Sequence, residues 1–92
     1  MAVRIPPSPV PLNIEHRSLS TIAAEIRKDW KPVYFGAEPY LNAMFQLDKI
    51  TDHYGNDPGY GVVAYFLSNS KTWRGETAKR VKAELNKMLK NR

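Results

Sequence analysis

The side chains in this sequence suited to catalysis or metal binding are two histidines, one knot of carboxylates and scattered hydroxyls. Asp48, Asp52, His53 and Asp57 form the densest polar cluster. On a helix, Asp48 and Asp52 would share a face one turn apart, and such a pair can in principle hold a cation. The spacing fits no calcium loop, because Tyr54 stands where an oxygen ligand is needed. Solvated carboxylates around Lys49 are the plainer reading. His53 is expected in the last turn of a helix, where a protonated imidazole meets the negative end of the dipole. His16 falls in the approach to the first helix. Ser18, Ser20, Ser68, Ser70, Thr72 and Thr77 fall at expected helix ends or turns, where hydroxyls cap backbone amides. None has a base at a recognisable spacing, and Gly59-Tyr60-Gly61 is too short for a phosphate loop. With no cysteine, thiolate metal sites, iron–sulfur clusters and cysteine nucleophiles are excluded. The sequence predicts neither an enzyme nor a cofactor.

Charge is the feature with functional leverage. The chain of 92 residues carries +5 overall. From Lys71 onward, eight basic residues face Glu76 and Glu84, so this stretch holds +6 and the remainder −1. Cations gathered on one element suit a localised anionic partner. Lys79, Lys82 and Lys90 line one flank of the last helix, with Arg80 and Lys87 beside them and Arg74 near its start. These six are the candidate phosphate contacts. A helix-turn-helix with Trp73, Arg74, Thr77 and Arg80 facing a groove is one form such contact could take, although the turn lacks the glycine common in that motif. The plainer alternative is a solvated lysine face. A second set of candidates is aromatic: Tyr34, Phe35, Tyr60 and Trp73 are expected to bind a protein partner if they prove exposed together.

These residues must be positioned by a small fold. An apolar share of 42% and ten aromatic residues are enough for one compact core and argue against disorder. Four prolines before residue 12 predict an extended arm over residues 1–17, followed by a single helical domain over 18–92. They also break any signal-peptide apolar segment after Arg4, and the longest apolar run, Val62 to Leu67, is far short of a bilayer span. With the missing cysteines, this predicts a soluble cytoplasmic protein with no membrane partner.

Apolar residues returning at three- and four-residue intervals predict four helices. The first runs from Leu19 to Trp30, capped by Ser18 and closed by Pro32. The second runs from Pro39 to His53, with Gly55 as its left-handed terminus. The third opens at Asp57-Pro58, and its body from Val62 to Leu67, apolar nearly all round, is expected at the centre of the bundle. The fourth is capped by Thr72 and runs to Leu89 on Ala78, Val81, Leu85 and Met88. Val33 to Gly36 should pack inward as an extended link. Gly75 falls inside the last helix, where close approach of a neighbour would explain it. The expected fold is an all-α, compact four-helix domain with the third helix central and a proline-rich N-terminal arm.

Ile26-Arg27-Lys28-Asp29-Trp30, Tyr34-Phe35 and Pro39-Tyr40-Leu41-Asn42-Ala43-Met44 resemble a family of short proteins from phages, prophages and plasmids of Gram-positive bacteria. Tyr54-Gly55 with Asp57, Tyr65-Phe66-Leu67-Ser68-Asn69, Trp73-Arg74-Gly75-Glu76-Thr77-Ala78 and Lys82-Ala83-Glu84-Leu85 extend the likeness. It covers residues 18–90 and leaves out the arm. The resemblance implies a setting, the cytoplasm of a host bacterium, and transfers no functional residue. Two functions are the main expectations, a non-enzymatic accessory protein contacting nucleic acid through the basic last helix, or a module that binds and modulates a host protein, as a host-takeover or anti-defence factor; a structural or assembly component of a phage particle is a weaker third.

Overall fold

The structure, a computed structural model, describes residues 17–91. His16 and the proline-rich arm, apart from Arg17, lie outside the described residues. In chain order the elements are α1 (Leu19–Asp29), α2 (Glu38–Met44), β1 (His53–Tyr54), β2 (Asp57–Pro58), α3 (Gly59–Ser68) and α4 (Glu76–Lys90). The fold is thus mostly helical with one small sheet. No helix among the described residues is long and apolar enough to cross a membrane.

α1 forms as its periodicity predicts, burying Leu19, Ile22, Ala23 and Ile26. Ser18 Oγ accepts from the Thr21 amide at 3.1 Å. Two further first-turn amides, those of Leu19 and Ser20, donate to the carbonyls of Asp48 and Leu47, both at 2.9 Å. These are groups that a helix start leaves orphaned, satisfied here from a distant loop.

That loop is why α2 ends at Met44 and not at His53. Past Phe45 the chain tightens into i→i−3 bonds, Gln46 to Ala43 at 2.9 Å and Leu47 to Met44 at 3.1 Å. Asp52 Oδ2 then takes the amides of Asp48 and Lys49 at 3.1 and 2.9 Å. A short carboxylate offering itself to the backbone competes with helix propagation. Leu47 still reaches the core at 3% exposure, so the apolar spacing survives without the helix.

His53 and Tyr54 pair antiparallel with Pro58 and Asp57, leaving Gly55-Asn56 as a two-residue turn. Gly55 has φ +62°, left-handed as expected, but it serves a hairpin and not a helix end. His53 is therefore an exposed strand residue, paired with Pro58, and not part of the last turn of α2. Asp57 lies in β2 and does not cap α3, whose N-cap is Pro58 without a side-chain bond.

α3 is a helix over Gly59–Ser68, as its expected place in the bundle requires. It packs Val62, Val63 and Phe66 inward against α2 and α4. It is not sheathed on every side: Tyr65 is 61% exposed, and Tyr60, Ala64 and Ser68 lie on the same solvent face. Leu67 packs half-buried beside the three inner residues, so Tyr60, Ala64 and Tyr65 are the apolar positions left facing solvent.

α4 begins four residues beyond the expected cap. Thr72 is exposed in a turn, and Gly75 is the N-cap with φ +111° and ψ −178°. That conformation is essentially restricted to glycine. Nothing lies within 4 Å of where its Cβ would be, so dihedral freedom, and not close approach, explains the residue. Residues 69–75 thus separate α3 from α4, more than the short turn of a helix-turn-helix allows. From there Ala78, Val81, Leu85 and Met88 form the buried stripe their spacing predicts.

The link after α1 also departs from expectation. Ala37 donates to the Tyr34 carbonyl at 2.9 Å and Glu38 to that of Phe35 at 3.2 Å, reversing the chain. Ala37 is buried and Val33 half-buried, while Tyr34 and Phe35 occupy the tip at 42% and 79% exposure. Trp30 stacks on Trp73 with centroids 5.7 Å apart and rings 13° from parallel, and Phe66 meets both edge-on at 6.2 and 6.4 Å. These three rings gather the end of α1, the end of α3 and the approach to α4 at one end of the bundle.

Candidate nucleic-acid interface

Six cations were expected on or near α4, and the structure divides them. Arg80 pairs with Glu25 of α1. Glu25 also holds Arg17 at 2.8 Å, and Arg17 reaches Glu84 through two nitrogens at 2.6 and 3.1 Å. This chain of charges laces α1 to one edge of α4. Lys82, on the opposite edge, donates from Nζ to the carbonyls of Ser70 at 2.7 Å and Trp73 at 2.6 Å. Its ammonium also lies 5.9 Å from the Trp73 ring centroid. Arg80 and Lys82 are thus engaged in holding the fold.

The side chains of Arg74, Lys79, Lys87 and Lys90 are exposed and make no hydrogen bond or ion pair among the described residues. At about 100° per residue, Lys79, Lys87 and Lys90 fall within roughly a quarter of the helix circumference. They span roughly 16 Å of axis on the face opposite the buried stripe. Arg74 and Lys79 line a shallow groove at the start of α4, where Gly75 supplies no side-chain cap and the dipole is positive.

Burial, and next the charge of Arg74, holds the Lys82 ammonium below its usual pKa, while two carbonyls keep a proton on it. Replacing Lys82 by alanine strips the Trp73 carbonyl of that donor. Unfolding measurements should show a loss of about 1–3 kcal/mol, against less than about 0.5 kcal/mol for Lys79→Ala. Equal losses at the two positions would refute the division.

The Arg17 guanidinium foremost, then that of Arg80, holds the Glu25 carboxyl below its usual value of 4.5. Asp52 is likewise lowered, by the backbone amides of Lys49 and then Asp48. A depressed carboxyl stabilises the fold above its unfolded-state pKa, and the contribution fades as pH falls through the folded-state value. Urea midpoints should therefore drop below pH 4.5, and Glu25→Gln should shrink that drop by less than about 1 kcal/mol, since Glu25 is partly solvated. A midpoint that rises on acidification would contradict this.

Trp73, expected to face a groove or a partner, is 2% exposed, with Nε1 donating to Asp29 Oδ2 at 2.8 Å. It is core, and is withdrawn from both sets of candidates. Tyr34, Phe35 and Tyr60 are exposed, the last at 41%. Sequence reading missed Tyr65, hidden in a run that looked like pure core, and Arg17, which only folding brings to Glu84. The hydroxyls behave differently from one another: Ser18 caps the Thr21 amide, whereas Ser68 and the buried Ser70 donate to the carbonyls of Ala64 and Leu67. Among the described residues no three His, Asp or Glu side chains converge on a common point.

Comparison with protein-family models, curated proteins and solved structures finds no match, so any functional reading rests on the geometry.

Proposed function

We propose that this chain is a non-enzymatic binding module that contacts nucleic-acid phosphates through α4, as a phage or mobile-element accessory protein in the host cytoplasm. The observation that carries the nucleic-acid reading is the arc of Lys79, Lys87 and Lys90, whose side chains are exposed and without partners among the described residues. The biological setting follows from the resemblance alone. Three phosphate contacts give a slope of log affinity against log salt of about −2.7, so a fourfold rise in salt should weaken duplex binding roughly forty-fold. Exchanging Lys79, Lys87 and Lys90 for glutamine together should flatten that slope and leave the circular dichroism unchanged. Arg80 and Lys82 are unsuitable for the test because their loss disturbs packing. An affinity indifferent to the triple change would end the proposal.

A second reading has its own observation: Phe35 and Tyr34 stand at an exposed turn, where large apolar side chains are unusual without a partner. On this reading the chain binds a host protein. A pull-down from nuclease-treated lysate should then retain that protein, and Phe35→Ala should release it.

A further inference from the structure

The three-ring cluster has a consequence for the residues next to it. Lys31 follows Trp30 and Arg74 follows Trp73, so the stacking of those indoles brings two exposed cations to the same end of the bundle. Lys28, in the last turn of α1, and Lys71, in the loop after α3, add two more exposed cations there. The Tyr34–Phe35 turn docks on this end as well. A Cβ at Gly36 would stand 2.5 Å from the Tyr34 ring and 3.0 Å from Asn69 Oδ1, so the turn lies directly against the close of α3. Asn69 in turn donates to the Tyr65 carbonyl at 2.9 Å, and the Tyr65 ring stacks on Tyr40 with centroids 5.5 Å apart. The acidic groups nearby are few. Glu38 is paired with Arg27, which leaves Glu76 and Asp29, the latter bonded to the neutral Trp73 indole.

The loop end therefore presents exposed aromatic faces (Phe35 at 79%, Tyr65 at 61%, Tyr34 at 42%) together with four exposed cations. Charge decides what fits it. The core of a protein–protein interface is depleted of lysine, and here three lysines and an arginine share the end with the rings. A single-stranded nucleic acid repeats the complementary pair of groups, a flat π face and a phosphate.

We propose that this end is a stacking platform for unpaired bases, with Phe35 and Tyr65 against successive bases and Lys31, Lys71 and Arg74 along the backbone. The proposal rests on the nucleic-acid reading of α4 and adds to it a ligand class and a second contact surface.

The test is fluorescence anisotropy with short oligo(dT), oligo(U) and duplex DNA probes at low salt. Phe35→Ala and Tyr65→Ala, both at exposed positions, should each weaken single-strand binding roughly ten-fold and leave duplex binding unchanged. Phe35→Trp should restore it. A preference for oligo(U) would identify RNA and the reverse DNA, and either supports the platform. Single-strand affinity that ignores both alanine variants, or duplex affinity that falls equally, overturns it while leaving the α4 reading standing. A wild-type chain that binds no probe overturns both, and a nuclease-resistant protein partner lost with Phe35→Ala would assign the rings elsewhere.

Discussion

Trp73→Ala should lower the stability of this domain by about 3–5 kcal/mol, the largest effect expected from any single truncation here. The ring is 2% exposed, stacks on Trp30 and meets Phe66 edge-on, so its removal opens a cavity bordered by α1, α3 and α4 together. Aromatic pairs of this geometry contribute beyond the area they bury. A small domain has roughly 5 kcal/mol or somewhat more in total, so the variant should be partly unfolded at ambient temperature. Trp73→Phe separates two causes. It keeps a ring in the stack and gives up the bond from Nε1 to Asp29, an exposed carboxylate that water can solvate again. Its cost should therefore be nearer 1 kcal/mol. Urea midpoints at constant slope provide the measurement. A loss below about 1 kcal/mol for Trp73→Ala would mean that the ring cluster does not join the three helices.

Gly59→Ala should destabilise, and Gly61→Ala, two residues on, should not. A Cβ on Gly59 would stand 2.7 Å from the Ile50 carbonyl oxygen and 3.0 Å from that of Asp52. Both obstacles are backbone, so no rotamer change relieves them. The Gly59 amide is also bonded to the Asp52 carbonyl at 2.6 Å, which ties the start of α3 to that turn. Alanine in a helix gains at most about 1 kcal/mol over glycine, and overpacking costs about 1–3 kcal/mol, so the net should be a loss of about 1–2 kcal/mol. At Gly61 the same Cβ would meet Pro58 Cγ at 3.6 Å, an ordinary contact, and propensity should prevail with a gain of a few tenths to about 1 kcal/mol. Thermal unfolding of the two variants side by side checks the sign. A destabilised Gly61→Ala, or a neutral Gly59→Ala, would contradict the close approach of the 50–52 turn.

How far the sequence reveals this fold can be seen element by element. α1 and α4 are legible because each has a cap or a stripe written locally: Ser18 before Leu19, and Ala78, Val81, Leu85 and Met88 in step. α2 is not, because what stops it is a tertiary bargain. The Leu47 and Asp48 carbonyls turn to α1, and Asp52 takes the amides that would have continued the helix. The hairpin did leave a mark in Gly55-Asn56, but a glycine following an apolar stripe reads equally well as a helix terminus. Gly75 stands out as a misfit, but its cause is a positive φ and not the close approach that its place in the sequence suggests. The candidate site shows the same limit more sharply. Lys79, Arg80 and Lys82 are near neighbours in sequence, yet one is exposed, one is paired and one is anchored under a loop. Composition counts all three as positive charge; only the positions of Glu25 and of the Trp73 carbonyl separate them.

The hydrogen bonds from Leu19 and Ser20 to the loop after α2 make those two amides sentinels. Their protons are sealed by a segment far downstream, so deuterium can enter them only when that segment lifts away or α1 itself melts. Comparing their exchange with that of Ile26, deeper in the same helix, would time the loop's departures separately from the unravelling of the helix.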